Sequence, residues 1–269
     1  MGESMDTNII SIDKLTLGYY GRSVLESISL GIRPGEIVGV VGLNGSGKST
    51  LIKALDRCLK PTCGNLYLKG KEFDKYSKKQ FAKLVAYVPQ FRPTPSISVR
   101  MLVEHGRYPY LGFGRKLNAE DKRKVDEAIR FTKLNEYENR LIETLSGGER
   151  QRAYLAMAIA QDTEVMLLDE PASSMDISGR LNMLDLLSSI NREKGTAIIM
   201  IMHELGDALT FADRICLLHN KSLLAFQKPR ELIESGLLET VFDVSIHPVN
   251  NGRAYWFERR KNTMTVKAY

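Results

Sequence analysis

The run Gly42-Leu43-Asn44-Gly45-Ser46-Gly47-Lys48-Ser49-Thr50 holds the residue types that bind phosphate. Glycines let a backbone approach an anion without side-chain obstruction. The N–H groups of such a loop, with those of a helix N-terminus, point fixed dipoles into one concavity. Lys48 supplies positive charge to β- and γ-phosphates, and the Ser49 hydroxyl is a hard oxygen ligand for Mg2+. The flanking residues supply the elements needed to position this loop. Glu36 to Val41 is an apolar, β-branched run of buried-strand type, and Ser49 to Leu55 reads as the start of a helix. A glycine-rich turn ahead of a structural helix is the other reading, but no turn requires Lys-Ser after its last glycine.

A second site of the same kind lies downstream. Val165 to Leu168 is a short apolar run that delivers Asp169 and Glu170 at its carboxyl end. In an open parallel sheet, ligands bind at that edge. Asp169 is placed to hold a metal, and Glu170 to polarise a water as general base. Two carboxylates after a strand could equally cap a helix; the phosphate loop favours the chemical reading.

Leu145-Ser146-Gly147-Gly148-Glu149, followed by Arg150-Gln151-Arg152 and a helical run to Gln161, stands one helix ahead of the Asp169 strand. Ser146 with Glu149 satisfies a capping box. That leaves the paired glycine unexplained, since glycine costs helix stability unless something approaches closely. The string resembles the signature of ATP-binding cassette (ABC) proteins. The resemblance spans roughly residues 10 to 247 and implies an α/β chain. Its parts would be a P-loop NTPase (RecA-like) core, an N-terminal antiparallel β subdomain and a helical ABC-specific subdomain. ATP and Mg2+ follow as cofactors.

Further positions take roles from the same resemblance. Tyr19, or its neighbour Tyr20, is similar to the aromatic that stacks on adenine. Gln90, after Tyr87-Val88-Pro89, resembles the glutamine that contacts metal and water and senses the membrane partner. Ser173-Ser174-Met175-Asp176 resembles the D-loop, with Met175 where leucine is usual and Ala172 where threonine is common. His203, after the apolar run Ala197 to Met202, resembles the switch histidine on the γ-phosphate. The catalytic set is thus Glu170, His203, Gln90 and Lys48. The nucleotide set is Tyr19 with Gly42, Asn44, Gly45, Ser46, Gly47, Lys48, Ser49 and Thr50. The metal set is Ser49, Gln90 and Asp169. Leu145 to Glu149 would act on the ATP of a second copy, beside the D-loop Asp176.

No run approaches the ~20 apolar residues of a membrane-spanning helix, and there is a single phosphate loop. The resemblance therefore implies a homodimer on the cytoplasmic face of the cell membrane, working with two transmembrane permease subunits and, indirectly, an extracytoplasmic substrate-binding protein. Glu104-His105-Gly106-Arg107-Tyr108-Pro109-Tyr110 is similar to the ATPases that import iron chelates, haem or cobalamin, although Tyr108-Pro109-Tyr110 is also explicable as a rigid turn. A metal-ion importer remains an alternative. A soluble cassette on nucleic acid or the ribosome is another, kept open by a net charge of +6 and a pI near 9.1. The densest basic group, Lys69 to Lys79, reads as a solvated face, and no nucleic acid is expected. A small-molecule kinase would leave the signature string without purpose.

The chain has 269 residues, 43% of them hydrophobic, enough to bury a full α/β core. Residues 9 to 33 and Asn65 to Leu68 suggest antiparallel strands, and strands near Ile37, Val85, Val165, Ala197 and Ile215 suggest the parallel core. Val99 to Arg107 and Ala119 to Leu134 read as helices. Val244 to Val249 and Ala254 to Phe257 flank Asn250-Asn251-Gly252, a hairpin signal. The expected division is an ATP-binding domain at 1–258, with a helical subdomain near 91–160 and a β-hairpin near 243–258, then a basic tail at 259–269. Cys58, Cys63 and Cys216 suggest neither disulfides nor a metal set. Met1 to Asn8 lacks signal-peptide features.

Overall fold

The computed structural model describes residues 7–90, 93–112, 116–172, 175–249 and 254–260. In chain order, the first elements are β1 (Ile10–Tyr19), β2 (Arg22–Ile32), β3 (Ile37–Val41), α1 (Lys48–Leu55), β4 (Cys63–Leu68), β5 (Lys71–Glu72), α2 (Lys78–Phe81) and β6 (Val85–Val88). There follow α3 (Val99–His105), α4 (Ala119–Phe131), α5 (Gly147–Gln161), β7 (Val165–Leu168), α6 (Ile177–Lys194), β8 (Ala197–Ile201) and α7 (Leu205–Phe211). The chain ends through β9 (Arg214–His219), β10 (Ser222–Gln227), α8 (Pro229–Glu234), α9 (Leu237–Phe242), β11 (Val244–Val249) and β12 (Ala254–Arg259).

Six strands form the central sheet in the order β10-β9-β3-β8-β7-β6. From β9 to β6 all neighbours are parallel. β10, which the sequence does not announce, adds antiparallel at the β9 edge. The strands alternate side chains between two cores, as their period of two requires. Val38 and Val40 face one core while Ile37 and Val41 face the other; Ile199 and Ile201 oppose Ile198 and Met200 in the same way. Burial on both faces explains the continuous apolar runs.

One core lies under a second sheet, ordered β2-β1-β4-β5 and antiparallel throughout. α1 contributes Leu51, Ile52, Ala54 and Leu55 to it. The other core takes the helices α3 to α7. Among the described residues, no helix is long and apolar enough to cross a membrane.

Several boundaries differ from expectation for local reasons. α1 begins at Lys48, one residue early, because Gly47 in a left-handed conformation (φ 99°) is its N-cap. α4 ends at Phe131 rather than Leu134, and Lys133 (φ 57°) turns the chain out of the helix. α3 stops at His105, and Tyr108 to Tyr110 form a separate 3-10 turn. The Asn250-Asn251-Gly252 turn, Ser173, Ser174 and the tail from 261 lie outside the described residues.

Arg107 accounts for much of the Gly106 to Tyr110 string. It is buried, donates from Nε to Asp121 Oδ1 at 3.0 Å and from Nη1 to the Ala160 carbonyl at 2.7 Å, and lies 3.8 Å from the centre of the Tyr110 ring. One side chain thereby ties α4 and α5 to the turn after α3. Truncation would strand Asp121 as an uncompensated buried charge. Arg107→Ala is expected to cost about 3–5 kcal/mol. A thermal melt should show the midpoint fall by roughly 10 °C, whereas an unchanged midpoint would refute the clamp.

Candidate functional site

Parallel pairing brings four strand ends to one edge. β3 runs into the loop Gly42–Gly47, its neighbour β8 ends before His203, β7 ends at Asp169 and Glu170, and β6 leads to Gln90. Residues far apart in the chain are neighbours only because the strand order is β3-β8-β7-β6.

The loop's shape depends on two of its glycines. A Cβ at Gly42 (φ 154°) would stand 2.3 Å from the Leu218 carbonyl oxygen and 2.6 Å from Ser46 Oγ. One at Gly47 would stand 2.8 Å from Leu25 on β2. Both the positive φ and the close approach exclude a side chain. Asn44 and Gly45 are exposed at the crest, while Ser46, Lys48 and Thr50 are buried. Lys48 Nζ donates to the carbonyls of Gly42 at 2.8 Å and Leu43 at 3.1 Å, folding the ammonium back over the loop. Burial lowers the Lys48 pKa; Glu170 and Asp169 oppose that shift. Among the described residues, Ser46 Oγ is buried without a hydrogen-bond partner, an orphaned polar atom that fits a loop shaped to hold an anion.

Asp169 is 3% exposed and accepts from Ser49 Oγ at 3.4 Å. Burial and the adjacent Glu170 push its carboxyl above the usual range, against Ser49. A hydroxyl and a carboxylate at this spacing, beside a second carboxylate and a side-chain amide, form the hard-oxygen set that suits Mg2+. Glu170 adopts φ 53°, a left-handed conformation uncommon for a residue with a Cβ. Its Oε2 accepts from Gln90 Nε2 at 2.5 Å, and its Oε1 pairs with His203 Nε2. Three residues from three strand ends thus meet on one carboxylate.

The remaining candidates are placed differently. Tyr19, at the end of β1, is 39% exposed and pairs in register with Arg22. Tyr20 is wholly exposed in the turn. Leu145 is buried, and Ser146 caps α5: its Oγ accepts from Glu149 N at 3.3 Å, and Glu149 Oε2 accepts from Ser146 N at 2.8 Å. The capping reading therefore holds, yet it leaves the glycines free. Among the described residues, a Cβ at Gly147 would meet nothing within 4 Å, and one at Gly148 would meet only Met175 Cε, at 3.9 Å. Asp176 caps α6, accepting from Gly179 N at 2.7 Å.

The sequence reading passes over Arg180. This α6 residue lies 3.0 Å from Asp207 in the first turn of α7 and 3.5 Å from Glu204, its N-cap. Its signal, a lone arginine one turn after Asp176, is ordinary in a helix. The lysines expected to form a solvated face are partly engaged: Lys69 pairs with Glu164, Lys75 with Glu72, and Lys71 lies over Tyr76.

Residues 25–173 match the family model described as ABC transporter. The chain is 38% identical over 236 residues to the achromobactin transport ATP-binding protein of Dickeya dadantii (strain 3937), covering 87% of this chain and 88% of that protein. It is 39% identical over 248 residues to the iron(3+)-hydroxamate import ATP-binding protein of Bacillus subtilis (strain 168), covering 91% and 92%. Among solved structures, it superposes with TM-score 0.71 on an ATP-binding cassette captured as a post-hydrolysis dimer with ADP and Pi. That pair is 26% identical, over 82% of this chain and 99% of the other.

Proposed function

The chain belongs to the ABC transporter family and is an ATPase, and from that premise we propose that it is the ATP-hydrolysing subunit of an importer for an iron chelate. The proposed work is done as a homodimer on the cytoplasmic face of the membrane, with two transmembrane permease subunits and an extracytoplasmic binding protein that delivers the chelate. The relatives named for achromobactin transport and for iron(3+)-hydroxamate import support the substrate class. Residues 1–258 make up the ATP-binding unit in this reading.

The observation that carries the reading is the meeting of Gln90, Glu170 and His203 beside the loop of Lys48. ATP lies with its phosphates in the loop, its β- and γ-oxygens against Lys48 and the backbone N–H groups, and its adenine on Tyr19. Ser49, Asp169 and the Gln90 carbonyl oxygen would hold Mg2+, which when bound screens the triphosphate charge. The Gln90 amide nitrogen already serves Glu170, which leaves that oxygen for the metal. Glu170 accepts the proton of the attacking water, and burial at 12% side-chain exposure keeps the carboxylate from being solvated away from it. His203 holds Glu170 and turns to the γ-phosphate as the site fills.

Ser146 and the open space above Gly147 and Gly148 receive the γ-phosphate of the other copy. Triphosphate then favours the closed dimer and diphosphate does not, so hydrolysis shifts the population toward separation. The test is uptake of a radiolabelled ferric siderophore by cells in which this gene is replaced by its Lys48→Ala form. Loss of accumulation is expected; normal accumulation, with loss of another solute instead, would reassign the cargo.

A further inference from the structure

α6 and α7 carry the two groups that must respond together when a second copy closes on the site. Asp176 caps the first, and His203 and Glu204 lead into the second. Apolar packing does not close the space between them. A cavity of about 340 Å³ lies there, walled by Met175, Leu184, Met200 and Met202. Arg180 reaches across its rim, with Nε 3.0 Å from Asp207 Oδ2 and Nη1 3.5 Å from Glu204 Oε1; both are charge contacts, since the buried Nε is not aligned to donate a hydrogen bond. The Asp207 pair is the stronger one: its side chains are 26% and 17% exposed, against 62% for Glu204. Partial burial reduces screening of that pair, while an exposed pair contributes little. A planar guanidinium suits a span between two carboxylates better than an ammonium does.

The other end of the path is also defined. Among the described residues, Met175 Cε is the atom that a Cβ on Gly148 would meet, at 3.9 Å, and the same side chain lines the cavity. A ligand pressed onto Gly148 therefore bears on Met175 and the start of α6.

We propose that Arg180 is a positioning residue that couples the D-loop helix to His203 through Asp207 and Glu204, so that engagement of the signature sets the histidine for hydrolysis. The proposal rests on the roles given above to His203 and Ser146. The pair joins two rigid helices across a void, so its loss should alter their relative placement more than the fold of either. Nucleotide binding, which depends on the loop and Lys48, should persist.

The test is steady-state ATP hydrolysis by the full chain with Mg2+. Arg180→Ala is expected to lower kcat about tenfold and leave KM for ATP within about twofold. Arg180→Lys should recover part of the loss. The double reversal, Arg180→Asp with Asp207→Arg, should exceed either single reversal, and the loss should fall on kcat with the melting midpoint unchanged, a split that a merely structural role would not produce. Full kcat in Arg180→Ala, or additive losses in the double reversal, would overturn the coupling. His203→Ala in the same assay separates the two levels. Parental turnover there would defeat the site reading itself, whereas an inactive His203→Ala beside a fully active Arg180→Ala would defeat only the coupling.

Discussion

Glu170→Gln is expected to reduce ATP turnover by about a thousandfold while leaving ATP bound. The substitution preserves size, and an amide can occupy the pocket between Gln90 and His203 without moving either strand end. It cannot accept a proton from water. The backbone at φ 53° aims the side chain, and it is unaffected because glutamine and glutamate share the same Cβ constraint. Phosphate release and equilibrium ATP binding, measured on the same preparation, check this. Turnover within tenfold of the parent would remove Glu170 from its role as base.

Gly148→Asp is expected to lower turnover by about a hundredfold, the scale of losing preorganised groups at a developing charge. The chain's own packing should tolerate it. Met175 Cε, 3.9 Å away, is an ordinary contact for the added Cβ. A carboxylate in the first turn of α5 also suits the positive end of the helix. Thermal stability should thus stay close to that of the parent even as activity collapses. Mixing this variant with Lys48→Ala provides a sharper check. Each variant alone has two damaged sites, but a mixed pair has one intact loop facing one intact signature. Activity should reappear on mixing. Its absence in a verified mixed dimer would place loop and signature within one chain.

Family and α/β architecture were legible because the chemistry-bearing residues sit where two periodicities meet. Each catalytic candidate ends an apolar strand run or begins a helix, and such junctions are local. Lys48, Asp169 and Glu170 could be read in this way, as could the capping box of Ser146 and Glu149. Strand order could not, because it depends on pairing between β3, β8, β7 and β6, which are far apart in the chain. The antiparallel β10 was hidden for a local reason: it follows β9 through the two-residue turn Asn220-Lys221, both at positive φ, and a turn without glycine gives a weak hairpin signal. Arg180 was illegible for a different reason. Its partners lie 24 and 27 residues away on another helix, and nothing in a helical arginine announces a cavity on its flank. Arg107 was visible only as part of a string; its burial, and the Asp121 that neutralises it, emerged from the packing of α4 and α5.

The most direct test is the solution mass of the Glu170→Gln chain by light scattering, with and without ATP and Mg2+. Triphosphate clasped between two copies predicts a shift from 30.3 kDa to about twice that mass, reversed when Gly148→Asp is added. A mass that stays at one chain under saturating ATP, with ATP demonstrably bound, would contradict the shared site.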